Sequence, residues 1–377
     1  MKGKTLLILL LAAGLLVALA MIQFKGKDNT SGPKLGAKLF PQLPVNQVAA
    51  ITVADADTQT TLVKGDTVWQ VKERSGYPAN FDAIKDTVIK LSRLKIGRSF
   101  AGSPESVTRL ELLSPSTEGA SASGTLITLK DASGTTLADV ILGQTRQTED
   151  GGMGGQYLKK ADDDTVYLVD GNFRFLKTAP AEWLKKEILN IKGEAVESVT
   201  CYTADDQSPE YILSRPEKDQ DADMTPVSQG RTADPVKIEQ VMDALAPLTL
   251  DDVRPAAAQP PAMTSSQHRL VYQLYDGRQI SIFPEFDGKE NHTVRVRVKQ
   301  TAAAPQPVDP AETPAADGAV SKEKAVEPNA SATQAAHKLD EALRPWIFSI
   351  KKWQFDSFFS QATSLLVDEK QDAEDAS

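Results

Sequence analysis

Apolar and polar positions follow three patterns along this chain. Residues Thr5 to Ile22, TLLILLLAAGLLVALAMI, form one unbroken apolar run between Lys2/Lys4 and Lys25/Lys27. At about 1.5 Å per helical residue the run reaches roughly 27 Å, enough for the hydrocarbon core of a bilayer. It reads as a transmembrane anchor behind a four-residue stub. A signal peptide cut after Ala20, at the small-x-small triplet Ala18-Leu19-Ala20, is the competing reading. Lysines flank both sides, but a long domain translocates largely regardless of charge. Residues from about 26 onward are therefore expected outside the cytoplasm, in a bacterium in the periplasm, on a single-pass inner-membrane protein.

After a polar, Gly/Pro-bearing tether (23–46), the period changes to two. Val48 to Val53 reads as a strand, and Thr61-Leu-Val-Lys64 with Val68-Trp-Gln-Val71 reads as a hairpin around Gly65-Asp66. Ile84, Val88, Leu91 and Leu94 then recur at helical spacing behind Asn80 as N-cap, up to Gly97. Strands follow at Thr125–Leu129, Leu137–Leu142, Gln156–Lys159 and Thr165–Val169, and Phe173 to Leu189 reads as mostly helical, with Trp183, Leu184 and Ile188 inward.

The order then repeats. Val196–Tyr202 restarts it, and Glu210-Tyr-Ile-Leu213 takes the place of the first hairpin arm. A helix over Thr232–Leu248 matches the first at an offset of roughly 154 positions, with Asp234 on Asn80 and Ile238 on Ile84. Arg269–Leu274, Gln279–Phe283 and Thr293–Val298 echo the earlier strands, Trp346–Ile350 stands for Val166–Val169, and a closing helix spans Trp353–Leu366. The expected fold is α+β: a transmembrane helix and two copies of one unit, mostly antiparallel sheet with packed helices, at 47–192 and 193–366. An Ala/Pro-rich insert at about 300–336 and an acidic tail at 367–377 are too poor in apolar residues to order themselves.

Charge and chemistry narrow the function by exclusion. A net charge of −9 argues against nucleic-acid binding. Cys201, the one cysteine, lies in a strand pattern and reads as a small buried hydrophobe. Glu149-Asp-Gly-Gly-Met-Gly-Gly155 leads into a strand without the Lys-Ser/Thr of a phosphate loop, so it reads as a hairpin loop. Asp162-Asp-Asp164 reads as a solvated turn, lacking the alternating carboxylates of a calcium loop. His268, His292 and His337 have no metal-ligand spacing. No cofactor, metal or catalytic residue is expected. Trp69, Trp183, Trp346 and Trp353 each read as core anchors. Arg295 and Arg297 alternate on one strand and so share a face, a candidate docking surface set against the plainer reading of a solvated sheet.

The anchor, Val68-Trp-Gln-Val71, Tyr77-Pro-Ala79, the Ile84–Leu94 helix, Ile141-Leu-Gly143, Tyr157-Leu-Lys159 and Val166-Tyr-Leu-Val169 together resemble the bacterial domain-of-unknown-function 4340 family. The resemblance implies a membrane-anchored envelope protein associated with gliding-motility-type ABC transporters, hence a non-catalytic accessory or scaffolding subunit touching a permease and its ATPase. A periplasmic lipid- or glycan-binding module is the alternative, and an envelope hydrolase a third.

Overall fold

The structure, a computed structural model, describes residues 34–116, 122–147, 153–203, 208–218, 220–256, 268–301 and 330–368. The apolar run 5–22, most of the insert (302–329) and the tail from 369 lie outside the described residues. Among the described residues no helix is long and apolar enough to cross a membrane. The fold is α+β and mostly antiparallel sheet, as the periodicity predicts. The chain divides into two compact units, Met1–Trp69 with Phe81–Ala179, and Gln70–Asn80 with Pro180–Ser377.

The first unit opens with β1 (Ala50–Ala54) and β2 (Gln59–Lys64). The hairpin of β3 (Trp69–Val71) and β4 (Tyr77–Pro78) lies almost wholly in the segment that belongs to the second unit. Then come helix α1 (Phe81–Arg93), β5 (Ile96–Ala101), the short helix α2 (Pro104–Arg109), β6 (Thr125–Lys130), β7 (Thr136–Gln147), β8 (Met153–Lys160) and β9 (Thr165–Val169). The strands of this unit lie in the order β2-β1-β6-β7-β8-β9-β5. Alternation does what the sequence pattern requires: Ile51, Val53, Leu62, Ile127, Leu129, Val140 and Leu158 are fully buried on one face, and α1 buries Ile84, Val88 and Leu91. The other face is covered too, because Leu110 and Leu112, following α2, pack with Ile141 and Val166. Each such side chain contributes on the order of 2 kcal/mol when removed from water.

In the second unit the chain runs through β10 (Glu187–Leu189), β11 (Val196–Tyr202), β12 (Pro209–Ser214), β13 (Asp223–Thr225) and β14 (Arg231–Ala233) to helix α3 (Pro235–Met242). There follow β15 (Leu248–Thr249), β16 (Asp252–Pro255), β17 (Arg269–Leu274), β18 (Arg278–Phe286), β19 (His292–Gln300), helix α4 (Ala330–Leu343), β20 (Trp346–Ser349), helix α5 (Lys352–Phe358) and β21 (Leu366–Asp368). Its main sheet has the order β13-β12-β11-β17-β18-β19-β20-β16. The β3–β4 hairpin is fastened within this unit. Arg74 Nε and Nη2 clamp the Asp252 carboxylate, and Tyr77 sits edge-on to Trp346 with centroids 5.1 Å apart.

Seven strands follow the same order in the two sheets, β2-β1-β6-β7-β8-β9-β5 and β12-β11-β17-β18-β19-β20-β16. Val53 faces Thr60 and Ile127 in the first, and Cys201 faces Tyr211 and Leu270 in the second. The hydrogen bonds agree as well. Thr60 Oγ1 donates to the Thr178 carbonyl and Tyr211 OH to that of Ser360. Asn80 N donates to Trp183 O at 2.7 Å, and Asp234 N to Leu365 O at 2.9 Å. In each half a buried hydroxyl and one backbone amide fix the segment around a short 3-10 helix, Pro180–Trp183 or Ala362–Leu365.

Several expectations are corrected. The division falls at Ala179/Pro180 rather than at 192/193. The tether is shorter than 23–46, because Gly36 N bonds Ile96 O and Leu39 is buried. Phe173–Leu189 is not a helix: Phe173 N bonds the Gln156 side chain and Lys185 N bonds Pro78 O, so these donors are spent outside any helical ladder. The closing helix covers only Lys352–Phe358, and Val367 and Asp368 are strand, with Arg231 on Asp368. The end of the insert is ordered, since α4 starts at Ala330 and turns Ala336, Asp340 and Leu343 inward at helical spacing.

Candidate functional site

The arginine pair expected as a docking face is engaged within the second unit. Arg295 is 6% exposed and is paired with Glu285 on β18. Arg297 Nε lies 2.9 Å from Asp340 on α4, and the same carboxylate oxygen accepts from Val298 N at 2.8 Å. The two arginines share a strand but serve two internal ion pairs, because α4 supplies the acid that the strand pattern alone did not reveal. Burial opposes ionisation of Asp340, but the Arg297 guanidinium and the Val298 amide outweigh it and hold its pKa below the ordinary carboxylate value. Asp252, clamped by Arg74, is lowered in the same way. A depressed folded-state pKa gives stability that is present above the unfolded value of about 4 and is lost as pH falls through the folded value. The second unit is therefore expected to lose stability below about pH 4, and Asp340→Asn to flatten that loss. Urea titrations at neutral and acid pH measure it.

The other sequence candidates resolve into structure. Asp163 accepts from Thr165 N and Tyr167 OH, which makes the acidic run a tied turn. Residues 148–152 of the glycine-rich loop lie outside the described residues, and Gly155 stands in β8. Burial pushes the Cys201 thiol to about 12, as suits an inert core position. His337 approaches Glu341, while His268 Nε2 lies 3.0 Å from the Phe358 carbonyl. Among the described residues no group of three or more His, Cys, Asp or Glu could hold a metal.

Two surfaces stand out instead. The first is a polar cleft of about 720 Å³ in the first unit. Its floor is the start of β6 and the end of β7, where the Leu110-Glu111 turn lies so close that a Cβ on Gly143 would sit 2.1 Å from Leu110 O. Glu111 holds a positive φ of 57°, rare for a residue with a side chain, and its carboxylate accepts from Gln144 Nε2. The roof is the segment after β9. Gln156, 6% exposed, holds it by donating to Gly143 O at 2.8 Å and accepting from Phe173 N at 2.7 Å. Arg146 and Arg174 line the rim, and Glu111 is the one carboxylate among the described lining residues.

The second surface is aromatic and lies on the second unit. Phe286, His292, Phe355, Phe359 and His268 form a chain of ring contacts from 4.7 to 6.2 Å along β18, β19 and α5. Phe286 is 48% and Phe359 46% exposed. Trp353, expected in the core, is 65% exposed and borders a groove of about 840 Å³ with Val236, Ala244 and Pro247. The signal was present in Lys352-Trp-Gln-Phe-Asp-Ser-Phe-Phe359: rings two, three and one residues apart cannot all share one helical face.

The sequence profile of the family described as Domain of unknown function (DUF4340) matches residues 69–267, just over half of the chain and parts of both units. No curated protein and no solved structure matches it.

Proposed function

We propose that this chain, which belongs to the domain of unknown function family DUF4340, is a non-catalytic binding and scaffolding protein. In this reading the 5–22 run anchors it in the bacterial inner membrane. The two units are copies of one α+β fold held in the periplasm, and they serve as an accessory subunit of an ABC-transporter-like complex. The observation that carries the reading is the aromatic surface of α5 and β18. Single exposed apolar residues are ordinary, but Phe286 and Phe359 stand half-exposed in one cluster of rings around Phe355, and Trp353 is exposed on another side of α5. Tryptophan and aromatic anchors dominate binding energy at protein interfaces, at about 2 kcal/mol or more each. The occupant would be the periplasmic surface of a permease subunit. A photo-crosslinking residue at Trp353 or Phe359 is expected to capture the permease in native membranes, and the same residue at Ala132 is not. Crosslinking to the permease from Ala132 alone would refute the surface assignment.

A second reading rests on the polar cleft. Its size lies within the range of small-molecule sites, and the left-handed turn at Glu111 sets that carboxylate against Gln144 on its floor. A neutral or anionic sugar is the chemistry it suits. Saturation-transfer NMR with periplasmic oligosaccharides, abolished by Gln144→Ala, tests it.

A further inference from the structure

The chain is acidic overall, yet one end of the first unit gathers cations around the point where the N-terminal segment arrives. Gly36 N bonds Ile96 O, Lys38 bridges to Lys95, and Asp170 N bonds Lys95 O. These contacts bring residues 34–38, the end of α1 with the start of β5, and the segment after β9 together. From Asp170 that segment runs over the strand ends as a strap, caught by Gln156 and then, at Thr178, by Thr60. Lys34, Lys38, Arg93, Lys95, Arg174 and Lys177 are all exposed here. Within these three segments the one acid among the described residues is Asp170, whose Oδ1 accepts from Lys95 N, and at the far end of the strap Asp55 on the β1–β2 turn pairs with Thr178. Two large apolar side chains stand among the cations, Leu35 at 77% and Phe175 at 74% exposure, with the Arg174 guanidinium over the Phe175 ring at 4.5 Å.

We propose that this strap end docks on an anionic phospholipid surface, the cations meeting headgroup phosphates and Leu35 and Phe175 entering the interface. The inference rests on the anchored reading for its geometry. Residues 23–33, between the apolar run and Lys34, reach at most about 40 Å when extended, so an anchored chain keeps this end within reach of the bilayer. Charge complementarity favours the membrane over an apolar partner. Basic residues beside an anionic leaflet gain attraction that falls off within about 10 Å, and an apolar side chain between them adds interfacial partition.

The buried Cys201 leaves an introduced surface cysteine as the one reactive thiol. Full-length protein carrying Phe175→Cys with an environment-sensitive fluorophore is reconstituted in phosphatidylcholine vesicles, or in vesicles that also contain phosphatidylglycerol. A label at Ala132→Cys, in the β6–β7 turn at the other end of the strands, is the control. The expected result is a blue-shifted emission quenched by headgroup-borne quencher in the anionic vesicles only. It should revert at high salt and in the Lys34→Glu/Lys38→Glu/Lys95→Glu/Lys177→Glu variant, while the control stays aqueous throughout. A label at 175 that stays aqueous in anionic vesicles overturns the proposal and leaves an acidic protein as the partner to seek; so does equal quenching in neutral vesicles. Flotation with neutral vesicles reports the anchor separately. A chain that fails to float there but shows salt-reversible quenching on anionic vesicles loses the anchor and keeps the docking face.

Discussion

Gly155→Ala is expected to remove most of the stability of the first unit, about 4 kcal/mol or more, against the 5–15 kcal/mol typical of a whole domain. A Cβ at this position would lie 1.6 Å from the Val169 carbonyl oxygen and 2.7 Å from its carbon. Real Cβ atoms essentially never come within 3.0 Å of another heavy atom, and the obstacle is backbone, so no rotamer change relieves it. β8 would have to part from β9, with β7 bound on its other side and β5 beyond β9. Gly134 sets the contrast: its φ is +86°, but nothing lies within 4 Å of its Cβ position, so Gly134→Ala costs only the left-handed backbone preference, about 1 kcal/mol. Peptide-resolved hydrogen exchange distinguishes the two, because it reads the β8 and β9 amides apart from the second unit. Protection across β7–β9 that survived Gly155→Ala would contradict the packing described.

In the second unit the ion pair of Arg215 with Glu239 is expected to respond asymmetrically. Arg215 has a side chain 6% exposed, whereas that of Glu239 is 39% exposed. Its Nη1 donates to Gly193 O at 3.0 Å, Tyr275 OH donates to its backbone carbonyl, and its Nε finds no acceptor among the described residues. Glu239→Ala leaves the buried guanidinium without its counter-charge, a loss of about 3 kcal/mol. Arg215→Met returns a half-exposed carboxylate to water and fills the space with a flexible apolar chain, at about 1 kcal/mol. Chemical denaturation of the two variants should therefore rank the acid's removal as the more costly, and the reverse order would mean that Arg215 is better solvated than its burial indicates.

What the sequence discloses follows from the range of the interactions that set each feature. Period two and period 3.6 report burial within a few residues, so β1, β6, β11 and α1 stand close to where the pattern puts them. The match of Asn80 with Asp234 points to a recurring helix start, which the paired bonds to Trp183 O and Leu365 O reproduce. The strap is different. Trp183, Leu184 and Ile188 are buried as expected, yet their spacing suggests a helix because the partners of that backbone, Gln156, Pro78 and Asn80, lie far away in the chain. Arg295 and Arg297 fail for the same reason: alternation locates them on a strand, but Asp340 reaches one of them only through α4, across an insert that carries no readable pattern. Of the candidate surfaces, the α5 rings leave a trace in sequence, whereas the cleft depends on the Glu111 backbone and on glycines at contact distance, which no local pattern encodes.

The most direct test of the scaffolding account is purification of the full chain from native membranes in a gentle detergent, wild type against Trp353→Ala/Phe359→Ala, with co-purifying proteins quantified by mass spectrometry. The account expects an ABC-type permease and its ATPase in near-stoichiometric amounts with the wild type. It expects at least a tenfold loss of both with the variant, at unchanged thermal stability. Recovery of the bait alone, or equal recovery of the permease with both proteins, would contradict it.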